Sequence, residues 1–409
     1  MMRRVVVTGM GVLSPLGHSV EENFNRLHVY ENAIESVDAL KEYKGLNTSL
    51  CCFIKDFQMP EHYSRKILRT MGPVSVMSLY TTEQALKQAG IEKDSDLVRN
   101  GRLGVAYGSS SGSVEPLVDF YSMIHTKVVR NITSSTYVKM MPQTTAVNIS
   151  LYLKTTGRLI PSGTACTSGS LSIGYAYEAI KAGIQDVMIA GGAEEFSPTQ
   201  VAVFDTLYAT SSKNDAPKST PSPYDKDRDG LVIGEGAGTL ILEEYEHAKA
   251  RGANIIAEIV GFATNTDGSH ITQPNADTIQ IAIEKSIQSA GIDASEIGYV
   301  NGHGTATMQG DIAETTATAK AFKRPVAISS MKSYIGHSLG ACGAIEAAMT
   351  IEMLNNNWYM PTLNLKNVDS ACGELDYISS EGRTMDCQYV MSNNFAFGGI
   401  NTSLIFKKI

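Results

Sequence analysis

Three side chains in this sequence have the chemistry of covalent catalysis. Cys166 lies in PSGTACTSGSLSIGYAYEAIKAG, residues 161–183, among Ser162, Gly163, Thr164, Ala165, Thr167, Ser168, Gly169 and Ser170. Structural cysteines sit among large apolar neighbours, so small ones leave space for a carbonyl to approach the sulfur. Leu171, Ile173, Ala176, Ala179 and Ile180 follow at helical spacing. Cys166 is therefore expected at a helix start, after a sharp strand-to-helix turn. Free N–H groups and the helix dipole there are expected to lower its pKa and to hold a developing oxyanion.

His303 stands in GYVNGHGTATMQGD, ahead of Thr305 and Thr307, and His337 stands in SSMKSYIGHSLGACGAIEA, after Lys332. Each histidine ends a strand-like segment within glycine and hydroxyl residues, the kind of loop on which α/β sheets bind ligands. One cysteine and two histidines on separate loops form a nucleophilic-catalysis pattern. His18, His28, His62, His125, His247 and His270 lack that setting and read as ordinary core or surface residues. The last loop, SNNFAFGGINTSLIF, brings together Phe395, Phe397, Gly398 and Gly399, which suits either a plain turn or a mobile aromatic gate. YDKDRDGLVIGEGAG tempts toward a calcium loop, but Glu235 falls at position eleven counted from Asp225, not twelve, and no helix pair flanks it. Gly234, Gly236 and Gly238 lack the lysine and the preceding strand of a phosphate loop.

The elements that must position these residues are legible as a repeat. RRVVVTGMGVLSPLG, LGVAYGSSSGS and DVMIAGGAEE each read as an apolar strand running into a glycine-rich loop, with helical periodicity between them, as over 76–90. This predicts an α/β protein with a mainly parallel sheet covered on both faces. GEGAGTLILEEY (234–245) resembles AFGGINTSLIFKK (396–408), and IAEIVGFATNTDGSH (256–270) echoes the first strand. CTSGSLSIGYAYEAIKAG echoes HSLGACGAIEAAMTIEML (337–354). The matches keep the same order, so an internal duplication is expected, with its break in the helical segment EHAKARGAN.

Bulk properties exclude several classes. The chain has 409 residues, 43% of them hydrophobic, and a formal charge of −8, which argues against broad nucleic-acid binding but allows a local basic patch for an acidic carrier. Six cysteines show no metal-ligand spacing, the N-terminus lacks a signal-peptide core, and no apolar run approaches a membrane span. A cytoplasmic protein with free thiols is expected.

The motifs VVVTGMGVLSPLG, GTACTSGS, DKDRDG, NGHGTAT, SSMKSYIGHSLGA and NNFAFGGINTSLIFKK occur in order along nearly the whole chain. In this the sequence resembles the elongating type of β-ketoacyl-acyl carrier protein synthase, synthase II above all. The resemblance implies a thiolase-like fold with a duplicated αβαβα core, an N-terminal half at 1–250 carrying the cysteine and a C-terminal half at 251–409 carrying the histidines. It implies decarboxylative Claisen condensation of an acyl thioester, held on Cys166, with malonyl-acyl carrier protein. By the same resemblance, His303 and His337 support decarboxylation, Lys332 holds local charge with Glu346, and the N–H groups of Cys166 and Phe397 form the oxyanion hole. Thr305 and Thr307 would bind the pantetheine arm, Phe397 would gate the acyl pocket, and Phe395, Gly398, Gly399 and Ser111 would line the substrate's path. No metal and no organic cofactor is implied, since substrates arrive on the carrier's phosphopantetheine. The implied partners are the carrier and a second copy of the chain, with a heterodimer with a related subunit as the alternative. Arg65, Lys66, Arg69, Arg130 and Lys213 are candidates for carrier docking.

A Cys-His-Asn set would instead indicate an initiating synthase, and the second C-terminal cysteine of thiolases is missing from the corresponding loop. A non-catalytic chain-length-factor-like subunit is the competing reading, opposed by the intact Cys166, His303 and His337. The chain also departs from the family pattern. Ser111 stands where a bulky apolar residue is common, Cys342 and Gly302 where alanine is frequent, and FAFGGIN where FGFGGTN is usual. A dedicated polyene or polyketide pathway therefore stands beside fatty-acid elongation.

Overall fold

The computed structural model describes residues 3–409. Valines 5–7 open strand β1 (Val5–Leu13), buried along its whole length. Gly9 and Gly11 interrupt it because helix α1 (Pro73–Ala89) runs directly over them, where a Cβ on either would strike a backbone carbonyl of the helix. To the main sheet the N-terminal half also contributes β2 (Leu103–Gly108), β3 (Leu159–Ser162), β4 (Val187–Glu194) and β5 (Gly236–Glu244). The C-terminal half has β6 (Ala257–Thr266), β7 (Ile297–Asn301), β8 (Ala327–Ser329), β9 (Asp376–Tyr377), β10 (Tyr389–Ala396) and β11 (Ile400–Lys407).

These strands form one eleven-stranded sheet in the order β9-β8-β7-β10-β11-β6-β1-β5-β4-β2-β3. Outward from the β1–β6 junction, each half runs first, fifth, fourth, second, third strand, with β9 added at one edge. Directions repeat too: β1–β5 and β4–β5 are antiparallel while β4–β2 and β2–β3 are parallel, and β6–β11, β10–β11, β10–β7 and β7–β8 follow the same scheme. The sheet is thus mixed, not mainly parallel as the sequence suggested. Antiparallel strands buried on both faces are as continuously apolar as parallel ones, so burial concealed their direction. The similar segments of the sequence coincide with equivalent elements, β5 with β11 and β1 with β6.

Helices α2 (Thr144–Leu153), α3 (Ser168–Lys181), α4 (Ala276–Ala290), α5 (Met308–Phe322) and α6 (Cys342–Asn356) complete the layers. The central core joins α3 and α6 to strands of both halves, through Leu171, Ile173 and Ile180 on one helix and Ile345, Met349 and Ile351 on the other. Outer cores place α1 and α2 on the N-terminal half of the sheet, and α4 and α5 on the C-terminal half. The result is an αβαβα stack. Helix Tyr245–Ala250 lies between the two halves. Among the described residues, no helix is long and apolar enough to cross a membrane.

The small residues around Cys166 serve this packing. A Cβ on Gly169 would lie 3.0 Å from Ala344 N and Gly340 O, and one on Gly343 would lie 2.8 Å from Ser170 N. α3 and α6 therefore meet nearly backbone to backbone.

Candidate active site

Cys166 sits in a 3₁₀ turn, Ala165–Thr167, that runs into α3, and the preceding Ala165 is left-handed at φ +49°. The second half repeats this device: Leu339, at φ +45°, opens the turn Leu339–Ala341 before α6. In this register Cys166 corresponds to Gly340.

The Cys166 side chain is buried, and His337 Nε2 lies 3.0 Å from its sulfur. The backbone N–H groups of Phe397 and of Cys166 itself favour the thiolate. Burial nevertheless pushes the thiol up to about 12, with the Lys332 ammonium and the two N–H groups opposing it. This corrects the expectation of a low thiol pKa at the helix start. Desolvation of a fully enclosed thiolate outweighs the helix dipole.

The Leu339 N–H donates to His337 Nδ1 at 3.3 Å. That lone pair is taken, so the neutral ring carries its proton on Nε2, the atom facing the sulfur. Burial, with Lys332 adding to it, holds both His337 and His303 well below the ordinary histidine range, so both are neutral. The two rings stand edge to face, their centroids 5.2 Å apart, and Phe395 lies edge-on to His303 at 5.9 Å.

His303 owes its position to a carboxylate that the sequence did not reveal. Glu314 on α5 accepts the N–H of His303 at 2.5 Å and of Gly304 at 2.7 Å. Burial raises Glu314 to about 7 and Asp311, one turn earlier, to about 6. Asp311 accepts the N–H of Ala306, which is left-handed at φ +64° between Thr305 and Thr307. The two threonine hydroxyls are 2.8 Å apart and line the cavity. Arg228, wholly buried, pairs with Asp311 at 3.4 Å and Asp369 at 2.8 Å, and donates to Met308 O. The acidic motif is therefore structural: the Asp225 carboxylate accepts N–H groups of Asp227, Lys366 and Asn367.

Lys332 donates to Glu346 at 2.5 Å, and Asn394 donates to the other oxygen of Glu346 at 2.7 Å. Burial alone would favour a neutral Lys332, but the paired carboxylate holds its ammonium charged. Cys342 donates its S–H to the Cys166 carbonyl at 3.3 Å, behind the nucleophile.

A cavity of about 520 Å³ reaches Cys166, lined by His303, His337, Thr305, Thr307, Phe395 and Phe397 among others. Phe397 leans on Phe204, with ring centroids 4.9 Å apart. The following Gly398 and Gly399 have φ of +88° and +70°, and Gly399 also lines the cavity. Ser111 and Gly398 are not on the cavity wall; the Ser111 hydroxyl turns toward Glu194 at 3.3 Å. Glu194, a second carboxylate missed from sequence, is wholly buried and accepts Ser110 N–H at 2.8 Å and Gly340 N–H at 3.0 Å. Its signal was the glutamate ending the apolar run VMIAGGAE. His270, read as an ordinary surface histidine, is exposed on the cavity wall.

Cys166, His303 and His337 place donor atoms within 4.8 Å of one another. The set does not suit a metal ion. The Leu339 N–H occupies His337 Nδ1, leaving a proton on the atom that would ligate, and the Lys332 ammonium adds repulsion.

Two family models match this chain, the β-ketoacyl synthase N-terminal domain over residues 2–248 and its C-terminal domain over 256–366. The chain belongs to the β-ketoacyl synthase family, and its layered core is the thiolase fold of that family's ketosynthases. It is 39% identical to 3-oxoacyl-acyl-carrier-protein synthase 2 of Vibrio cholerae, across 100% of this chain and 99% of that one. A crystal structure of a β-ketoacyl synthase from Burkholderia phymatum matches with a TM-score of 0.98 and 54% identity, covering both chains completely. A type II polyketide ketosynthase solved in complex with its acyl-carrier protein matches at TM-score 0.88 and 29% identity, again over both full chains.

Proposed function

We propose that this protein is a 3-oxoacyl-acyl carrier protein synthase, an acyltransferase that joins an acyl thioester to malonyl-acyl carrier protein with loss of carbon dioxide. The observation that carries this reading is a buried cysteine sulfur 3.0 Å from an imidazole Nε2, in a cavity that also holds His303.

The Cys166 sulfur attacks the acyl thioester carbonyl, the oxyanion rests on the N–H groups of Cys166 and Phe397, and the carrier's thiol leaves. Malonyl thioester then enters, and its thioester oxygen takes hydrogen bonds from His303 and His337. Loss of carbon dioxide places the electron pair in an enolate stabilised by those donors. The enolate carbon attacks the acyl-Cys166 carbonyl, and collapse expels the sulfur and releases the 3-oxoacyl carrier. Lys332 and Glu346 hold charge beneath the site, Thr305 and Thr307 hydrogen-bond the pantetheine arm, and Phe397 gates the acyl pocket. The 1–250 half contributes the nucleophile and the 251–409 half the histidines. The chain needs no cofactor of its own, because the carrier brings the phosphopantetheine.

The carrier docks at the cavity rim, where Lys213 bonds Asp227 O at 3.2 Å beside the lining residue Asp229. Arg65, Lys66, Arg69 and Arg130 are exposed elsewhere on the N-terminal half. A homodimer is supported by the sheet edge at β3 and by the exposed Leu117, Val118, Tyr121, Ile124 and Tyr137. A heterodimer is the alternative; the ishigamide ketosynthase/chain length factor matches at TM-score 0.90 and 28% identity. The intact triad argues against a non-catalytic subunit. Six unpaired cysteines suit a reducing cytoplasm.

Intact-protein mass spectrometry with carriers bearing acyl groups of varied length and unsaturation tests the reading. An acyl adduct that is absent from Cys166→Ala supports it and ranks the substrates, and so separates fatty-acid elongation from a polyene or polyketide pathway. Folded protein that takes no acyl group from any carrier would overturn it.

A further inference from the structure

The loop carrying His303 has glycine on both sides, and one side chain from the other half of the chain occupies the space these glycines leave. Tyr224 precedes Asp225, which is buried as Arg228 is, and is itself wholly buried, with left-handed backbone at φ +67°. Its N–H donates to Asp311 at 2.7 Å and its carbonyl accepts from Asp369 N–H at 2.9 Å, so its backbone is tied to the framework that shapes the Thr305–Thr307 turn. The ring lies 5.3 Å from that of Tyr377.

The hydroxyl ends against the histidine loop. A methyl group on Gly302 would overlap Tyr224 Oη, and one on Gly304 would lie 2.5 Å from the same atom. That hydroxyl is buried and has no hydrogen-bond partner. A buried unpaired hydroxyl lowers stability, and here it is held against the Cα atoms on either side of His303. Glu314 grips the N–H groups of His303 and Gly304, and its Oε1 lies 3.1 Å from where a Cβ on Gly302 would sit. The loop is held by a carboxylate through its N–H groups and packed against a phenol at its glycines.

We infer that Tyr224 is a positioning residue for His303, its hydroxyl wedged between Gly302 and Gly304 so that the imidazole keeps its place beside His337. The inference rests on the reading of His303 as a donor in decarboxylation. It gives the N-terminal half a hand in placing a group of the C-terminal half, and it explains why position 302 has no side chain: the room is taken by Tyr224.

The test is a double-mutant cycle of Tyr224→Phe and Gly302→Ala in the full-length protein. Two half-reactions are measured, Cys166 acylation by mass and release of carbon dioxide from malonyl-acyl carrier protein, together with Tm. Gly302→Ala is expected to cut decarboxylation about thirtyfold or more while acylation stays within about threefold. Tyr224→Phe is expected to cut decarboxylation about three- to tenfold with Tm unchanged or raised, a combination that a merely structural role would not give. The double variant, with methyl replacing hydroxyl in the same space, is expected to recover decarboxylation to within about fivefold of wild type. Additive losses in the double variant would overturn the inference, as would parallel losses of acylation and decarboxylation. If Gly302→Ala does not fold, Tyr224→Phe alone decides by its split between activity and Tm. If the wild type performs neither half-reaction, the proposed function fails instead. The wedge is then judged by ¹⁵N ring resonances of His303: displaced by Gly302→Ala and restored in the double variant sustains it, and unmoved refutes it.

Discussion

The starts of α3 and α6 are the same piece of backbone used twice. Each follows a left-handed residue, Ala165 or Leu339, and each opens with a 3₁₀ turn before the helix proper. Where the first turn carries Cys166, the second carries Gly340, whose N–H goes to the buried Glu194. The second half sends His337 to the sulfur from just before its turn. The duplication therefore copies a scaffold and, on the proposed function, divides the chemistry: a nucleophile from one half, imidazole donors from the other.

Breaking the division at its centre has the largest expected effect. Cys166→Ala should remove the acyl-enzyme and lower condensation at least ~10³-fold, whereas malonyl decarboxylation, measured as released carbon dioxide, should persist. His303→Ala should show the reverse, with decarboxylation down ~10²–10³-fold and acylation by mass within tenfold. Loss of both half-reactions in either variant would mean that the halves do not share the work in this way. Gly340→Ala probes the silent copy of the turn. A Cβ there would lie 2.7 Å from both Glu194 Oε2 and Ser110 N, so chemical denaturation should show a loss of about 1–3 kcal/mol.

The contrast between helix dipole and burial is sharpened by pH. With the Cys166 thiol raised to about 12, its thiolate fraction is small at neutral pH and grows tenfold per unit. Its alkylation by iodoacetamide in the substrate-free protein should climb through pH 9 without levelling. A plateau by pH 7 would show that the N–H groups and Lys332 outweigh desolvation. The smallest effect is expected at Cys342, which the repeat aligns with Ser168. Cys342→Ser keeps a donor to the Cys166 carbonyl and should change condensation by less than about threefold.

Much of this site was legible in the sequence because glycine and hydroxyl runs mark where backbone turns sharply or comes close. Cys166, His303, His337 and Phe397 all sit in such runs, and the structure brings them to one cavity. The glycines around Cys166 carried a second meaning that sequence alone conflated with the first: they let α3 and α6 touch. The buried charges were illegible. Glu194, Glu314 and Arg228 resemble surface residues until the fold encloses them, and their partners lie in distant segments or are plain N–H groups. The direction of the thiol's shift was misread for the same reason, because a helix start is visible in sequence and the depth of its burial is not. Strand direction was hidden too, since β1 and β5 are buried on both faces nearly throughout.

The bond from Leu339 N–H to His337 Nδ1 bears on how long an intermediate can wait. A thioester on Cys166 is open to attack by any water that finds a base beside it. His337, the imidazole nearest that sulfur, has its free lone pair engaged and presents only a proton. It can steady a negative oxygen but cannot draw a proton from water. On the proposed function, one backbone amide, two residues beyond the ring, thereby removes the nearest base from an acylated enzyme waiting for its second substrate.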